Sequence, residues 1–303
     1  MTEMLQVTAT TLNLRRSPVI NPANIIGTLG QGEVVQKTGQ PTTDWFEVRC
    51  SRSSGFAAAR FLSPVQAPTP PQQPATGTPA FVPRPVHFAP SASAQLGSIE
   101  QRHCPLGGFD VRSRQAGQSD ATRCATLGSI VDLLDVEHSA RYQPTVTTFC
   151  NIYAYDFCYL AGVYLPRVWW MAKALLDLRA GADPGVAYGK TVRELTANAL
   201  YDWLSEWGDD YGWQRCADVD ELQGAANRGS VGVVCAQRRD LSRSGHIVVV
   251  VPEIAGHAAD RVGQGVVRPL QSQAGARNKR YFCNQWWVDL AAQFRATGFW
   301  AHA

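Results

Sequence analysis

Two rhythms of apolar residues divide this chain of 303 residues. From residue 5 to residue 64 the apolar positions come in short runs broken by turn residues: QVTATTLNLRR, then Ile25, Ile26 and Leu29, then GEVVQKTG, WFEVRC and GFAAARFL. Short runs of this kind, punctuated by Gly, Asn, Pro and Ser, predict a small all-β barrel. From Cys150 the rhythm changes. Ile152, Tyr153, Phe157, Leu160 and Ala161 recur at helical spacing, and Gly162 stands where a C-terminal cap would fall. The run HIVVVVPE, opening at His246, is continuously apolar and predicts a buried central strand, with VVRPLQSQAG as an antiparallel strand after it. SIVDLLDVEH (129–138) predicts a short amphipathic helix behind a polar, turn-rich stretch. Residues 284–296, with Trp286 and Trp287, predict a closing helix packed on the sheet. Between the two rhythms, residues 65–95 are rich in Pro, Ala, Ser and Gln and predict an extended, semi-rigid linker with little to bury. The expected organisation is therefore a barrel over 1–64, a linker over 65–95 and an α+β domain over 96–303.

Charge and cysteine usage narrow the function. A net charge of +3, from 28 Lys and Arg against 25 Asp and Glu, with no cluster of four basic residues, argues against a nucleic-acid partner. No run of about 18 apolar residues exists, so no membrane span is expected. The opening MTEMLQVTATTLNLRR lacks the basic start and apolar core of a secretory leader, which predicts synthesis in the cytoplasm without one. Eight cysteines (50, 104, 124, 150, 158, 216, 235 and 283) are too sparse for a disulfide scaffold and too irregular for zinc. Most read as buried thiols. Cys104 and Cys124 flank a polar loop and would be free to cross-link in an oxidising compartment. His103, His138 and His257 lack ligand spacing, so neither a metal nor another cofactor is expected. Asp202, Glu206, Asp209 and Asp210 read as an exposed helix face and its polar cap rather than as paired catalytic carboxylates.

The chemistry falls between Cys150 and Gln273. A thiol at a helix N-terminus is favoured as thiolate by the helix dipole and the free N–H groups, which can also hold an oxyanion. His246, 96 residues downstream at the exposed start of a strand, supplies a base. A third group must orient the ring. Gln271 and Gln273 share one face of the next strand, and either could accept the imidazole N–H, with Gln271 placed narrowly ahead. Glu253 would lie about 20 Å away by strand rise. Among the tryptophans, Trp170, Trp207 and Trp213 are candidates to line a cleft beside the thiol, with Asn151, which follows Cys150, and Gly245, which precedes His246, as further substrate-binding candidates.

Two resemblances follow from these residues. Leu12-Asn13-Leu14-Arg15, Ser17-Pro18, Gly27, Leu29, Gly32, Val34-Val35, Trp45, Val48, Gly55-Phe56 and Phe61-Leu62 fall in the order of the bacterial SH3 domain, which the whole N-terminal segment resembles. That resemblance implies a module that targets an enzyme to peptidoglycan, with Trp45 as the aromatic available for binding. Cys150, Gly162, Leu165, Pro166 and Arg167 share the spacing of the NlpC family of cell-wall cysteine peptidases, and GHIVVVV and PLQSQ resemble the related CHAP amidases. The resemblance implies a papain-like fold with Cys150 as nucleophile, His246 as base, Gln271 or Gln273 orienting it, and Tyr142 contacting the catalytic centre. Thr148-Phe149-Cys150-Asn151 stands where the family has Asp-Cys-Ser-Gly. The expectation is thus a papain-like (NlpC/CHAP-like) α+β hydrolase behind an SH3-like barrel, cutting an amide of the peptidoglycan peptide. Without a leader, such an enzyme would reach the wall as an exported antibacterial effector, with an immunity protein or secretion component as partner, or as a phage-type lysin. The alternatives are a papain-like protease or deamidase acting on proteins, and a non-catalytic wall-binding structural protein.

Overall fold

Leu5 and Val7 alternate with exposed neighbours in β1 (Met4–Val7), as a strand with one buried face requires. A computed structural model describes residues 4–9, 11–21, 24–30, 32–50, 53–64, 81–111, 114 and 117–303, and the chain divides into two compact units, one ending at Pro79 and the other running from Ala80 to Ala303. In the first unit β1 is joined by β2 (Thr11–Arg15), β3 (Ile25–Gly30), β4 (Val34–Thr42), β5 (Trp45–Arg49), β6 (Ser54–Ala58) and β7 (Leu62–Pro64). They form one antiparallel sheet in the order β3-β2-β6-β5-β4-β1-β7. Its core is Leu5, Val7, Leu12, Leu14, Leu29, Val35, Val48, Ala57 and Leu62. All the expected strands of this segment form.

The second unit is α+β. Its helices are α1 (Asp120–Leu134), α2 (Cys150–Leu160), α3 (Ala172–Arg179), α4 (Ala197–Glu206), α5 (Val219–Ala226) and the short α6 (Trp286–Asp289). Two small strands, β8 (Val168–Trp170) and β9 (Val192–Glu194), pair with each other. The main sheet is built from β10 (Trp213–Cys216), β11 (Val231–Arg238), β12 (His246–Val250), β15 (Leu270–Gln273), β16 (Lys279–Cys283) and β17 (Phe294–His302), in the order β10-β17-β11-β12-β15-β16, all antiparallel. β13 (Asp260–Val262) and β14 (Gly265–Arg268) form a separate hairpin. Both faces of the sheet are covered. Val233, Cys235, Ile247 and Val249 join a core with α1, α2 and α4, while Val234, Val248 and Val250 join a second core with α5, Trp286 and Trp287. That double cover explains why β12 reads as an unbroken apolar run.

Three expectations are corrected. The chain expected as the rest of the linker, where it is described, lies on the second unit: Val86 is buried, its backbone exchanges hydrogen bonds with the Tyr164 hydroxyl (2.9 and 3.3 Å), and the Trp170 indole donates to the Arg84 carbonyl (2.9 Å). Residues 65–80 lie outside the described residues. The expected helix at 129–138 is the end of a longer one, because Ser119 caps α1 by accepting from the Thr122 N–H (3.2 Å) and the helix starts nine residues earlier. The expected closing helix over 284–296 stops at Asp289, and Phe294–His302 instead forms a central strand between β10 and β11. Cys104 and Cys124 are free; Cys124 sits against the Asn227 carbonyl (3.2 Å). Among the described residues no helix is long and apolar enough to cross a membrane, and no group of His, Cys, Asp and Glu could hold a metal.

Candidate active site

Cys150 is the first residue of α2, and no side chain caps that helix. Its N-cap is Phe149, whereas Ser119, Thr196 and Asp218 accept hydrogen bonds at the starts of α1, α4 and α5. The first N–H groups of α2 have no partner within the helix. Those of Ile152 and Tyr153 reach back to the Phe149 carbonyl (3.0 Å each), while that of Asn151 bonds the Cys150 sulfur, which the Ile247 N–H of β12 meets from across. His246, the first residue of β12, hydrogen-bonds the thiol. Its Nε2 lies 2.7 Å from Gln273 Oε1, and the Gln273 amide nitrogen donates to the Arg277 carbonyl (3.1 Å). That second bond turns Oε1 toward the ring, so Nε2 carries the proton and Nδ1 is left for Cys150.

The electrostatics follow from this geometry. Burial would raise the Cys150 thiol, which is only 3% exposed, but the hydrogen bond and charge of His246 and the two backbone N–H groups outweigh it and the thiol lies below its ordinary value. Burial would likewise lower His246, yet its bond to and charge attraction with Cys150, and then the Gln273 bond, hold it above the ordinary imidazole value. Both shifts run in the direction that favours a charged thiolate beside a charged imidazolium, each group acting on the other. Cys235, the neighbouring buried thiol, is pushed well above its ordinary value by burial and then by the Cys150 charge, and donates to the Ala197 carbonyl (3.4 Å). Its chemistry is that of an inert core thiol.

Packing fixes the three groups relative to one another. The Tyr153 hydroxyl, one turn after Cys150, bonds Ser272 Oγ (2.6 Å) in a fully buried contact, locking the thiol's helix to the strand that carries Gln273. Trp286 packs against the His246 ring in an edge-to-face arrangement, with centroids 4.8 Å apart and planes at 77°. Asn198 clamps the turn ahead of His246: its Oδ1 accepts from the Arg238 N–H and its Nδ2 donates to the Arg243 carbonyl, both at 2.9 Å. Gly245 lies against that clamp, and a Cβ there would come within 2.5 Å of Asn198 Oδ1 and 2.6 Å of the Ala236 carbonyl. Trp286 and Asn198 carry no motif in the sequence; only the fold brings them to the histidine.

Several expected site residues stand elsewhere. Gln271 does not meet the imidazole. Antiparallel pairing sets Ser272 opposite Val249 and Gln271 opposite Val250, so Gln271 lies two residues farther from His246 than Gln273 does. It accepts from the Trp286 indole (3.0 Å) and donates to the Asn284 carbonyl (2.9 Å), and so reaches the histidine only through Trp286. The Tyr142 hydroxyl is committed to Asp156 (2.9 Å) within a fully buried ion pair of Asp156 with Arg141 (2.6 Å), rather than to the thiol. The Asn151 side chain donates to the Leu195 carbonyl (2.9 Å). Trp213 is fully buried and donates to the Tyr164 carbonyl (2.8 Å). Trp170 and Trp207 belong to an aromatic cluster with Trp169 and Trp203 around a recess of about 210 Å³, and neither lines the groove at His246. Trp45 lines an open groove of about 820 Å³ in the first unit, with Arg15, Asp44, Arg60 and Phe61.

The groove at the candidate site holds about 570 Å³ and runs past His246 and Gln273, with Thr147, Thr148 and Gly245 on its walls. No family model and no curated protein matches the chain. Among solved structures it is similar to NlpC2 from Trichomonas vaginalis, at 10% identity over 94% of this chain and 96% of that one with a TM-score of 0.23. It is also similar to NlpC1 from the same organism, at 11% identity over 99% and 94% of the two chains with a TM-score of 0.28.

Proposed function

We propose that the second unit is a cysteine hydrolase, an NlpC/CHAP-like peptidase or amidase of the papain type, that cuts an amide of the peptidoglycan peptide. The observation that carries this reading is the chain Cys150–His246–Gln273 at an uncapped helix start. The Cys150 thiolate attacks the amide carbonyl carbon, and the oxyanion formed is held by the N–H groups at the start of α2. His246, already protonated, gives the Nδ1 proton to the departing nitrogen as the C–N bond breaks, which leaves an acyl-enzyme. Neutral His246 then takes a proton from water, the hydroxide adds to the thioester, and the thiolate leaves as the carboxylate product forms. Gln273 holds the ring for both steps. The order of residues shared with the bacterial SH3 domain supports a wall-targeting role for the first unit. Delivery as an exported antibacterial effector, with an immunity protein guarding the producer, or release as a phage-type lysin, completes the proposal.

Digestion of purified diamino-acid-type sacculi by the full chain and by Cys150→Ala, with products identified by mass spectrometry, tests it. New muropeptides are expected from the unaltered protein alone, and their masses name the bond. Intact sacculi with both proteins under reducing conditions would overturn the peptidoglycan assignment.

A further inference from the structure

The groove at His246 is lined by Arg238, Arg243, Arg277 and Lys279 and by no carboxylate. Arg238 is held in place: its Nε donates to the Ser244 carbonyl (2.9 Å), a second nitrogen bonds Gln293, and its guanidinium lies over the Phe294 ring at 4.7 Å. Arg277 projects from a turn that is anchored at both ends, by the Gln273 amide on its own carbonyl and by Asn278, which accepts from Gly275 N–H and donates to the Val136 and Tyr142 carbonyls. Arg243, Arg277 and Lys279 are exposed, and none of the four cations forms an ion pair among the described residues. The one acid in the same turn, Asp240, lies outside the groove lining; it is bound by Ser242 through its N–H and hydroxyl (3.0 and 2.6 Å) and feels the charge of Arg243 without forming an ion pair with it. Arg238 and Arg243 repel each other closely enough to act on Arg238 after burial has done so, and Arg238 is also felt by His246.

Like charges gathered around a reacting centre destabilise the empty groove and favour whatever neutralises them. Guanidinium groups match carboxylates in charge and in their paired N–H donors. We propose that this groove selects an acidic peptide, with free carboxylates flanking the scissile amide read by Arg243 and Arg277, and discriminates against the same peptide carrying carboxamides. The proposal rests on the hydrolase reading of Cys150 and deepens it by naming the charge of the substrate. It separates two forms of one wall peptide that differ only in amidation.

Binding tests it without turnover. The affinity of the full-length, nearly isosteric Cys150→Ser protein is measured by calorimetry for an acidic tetrapeptide with free side-chain and terminal carboxylates and for its fully amidated counterpart. Tenfold or greater weakening on amidation is expected, shrinking as salt is raised. The Arg243→Gln/Arg277→Gln pair, both exposed and so without consequence for folding, is expected to bring the two affinities within twofold of each other. Equal binding of both peptides, or binding of neither, overturns the proposal even where sacculi are cleaved; failure to cleave sacculi overturns the hydrolase reading even where the acidic peptide binds. Displacement of the peptide by a short single-stranded oligonucleotide of higher affinity also overturns it.

Discussion

Gln273 is the residue whose role is read most directly through pH. Its bond to Nε2 raises the proton affinity of His246, so removing it lets the imidazolium lose its proton at lower pH. For Gln273→Ala the alkaline limb of the kcat/KM profile is therefore expected to move toward acid, while the acid limb, governed by Cys150, stays nearer its place. Gln271→Ala is expected to leave both limbs unmoved and to lower stability by about 1–3 kcal/mol, since it strips a buried indole of its acceptor. Profiles of the two variants, with denaturant melts, separate an orienting from a structural glutamine. Strand parity puts both glutamines on one face, which narrows the choice to these two, but the preference for Gln271 fails because register is set by pairing with β12, which no local pattern encodes. Cys150 and His246 were legible for the opposite reason: each sits at an element end that its own neighbours define. Tyr142, expected from the family resemblance, and the tryptophans, expected as cleft lining, stand elsewhere because neither a motif position nor an aromatic side chain records where the ring points.

At the scale of elements, α2 is held by contacts along its length, the deepest being the ion pair of Asp156 with Arg141, both fully buried. Removing one partner strands a charge in the core, so Asp156→Ala is expected to cost about 3–5 kcal/mol, measured as a lower midpoint of denaturant unfolding with unchanged slope. The length of α1 was hidden because its first turns face solvent and read as loop, with only the Ser119 cap as a local signal. β17 was misread because QWWVDLAAQF carries helical apolar spacing into a segment whose later residues, Phe294, Phe299 and Trp300, pair as the sheet's interior strand. Such a strand is specified by its partners β10 and β11 more than by its own propensity.

For the whole molecule, the described stretch from 81 onward is a strap rather than a spacer. Pro83 accepts from the Tyr211 hydroxyl, Arg84 lies over the Trp170 ring at 5.2 Å, and Val86 enters the core. A fragment spanning 81–303 is expected to melt close to the full chain's second transition, whereas one spanning 96–303 loses a buried valine and its hydrogen bonds, about 2 kcal/mol or more. Calorimetry should place that second fragment on the order of 5 °C lower. Composition pointed to a linker there because Pro and Ala bury little by themselves; the aromatic surface that receives them is assembled from residues more than 70 positions away.

The bare start of α2 also sets a limit on how this protein can be improved. Replacing Phe149 by Ser or Asp would supply the missing cap, and caps are among the commonest routes to a sturdier fold, worth about 1 kcal/mol. The same oxygen would compete for the Asn151 N–H that bonds the Cys150 sulfur, and a carboxylate would set a negative charge beside it. Selection for heat resistance and selection for turnover therefore pull this single position in opposite directions.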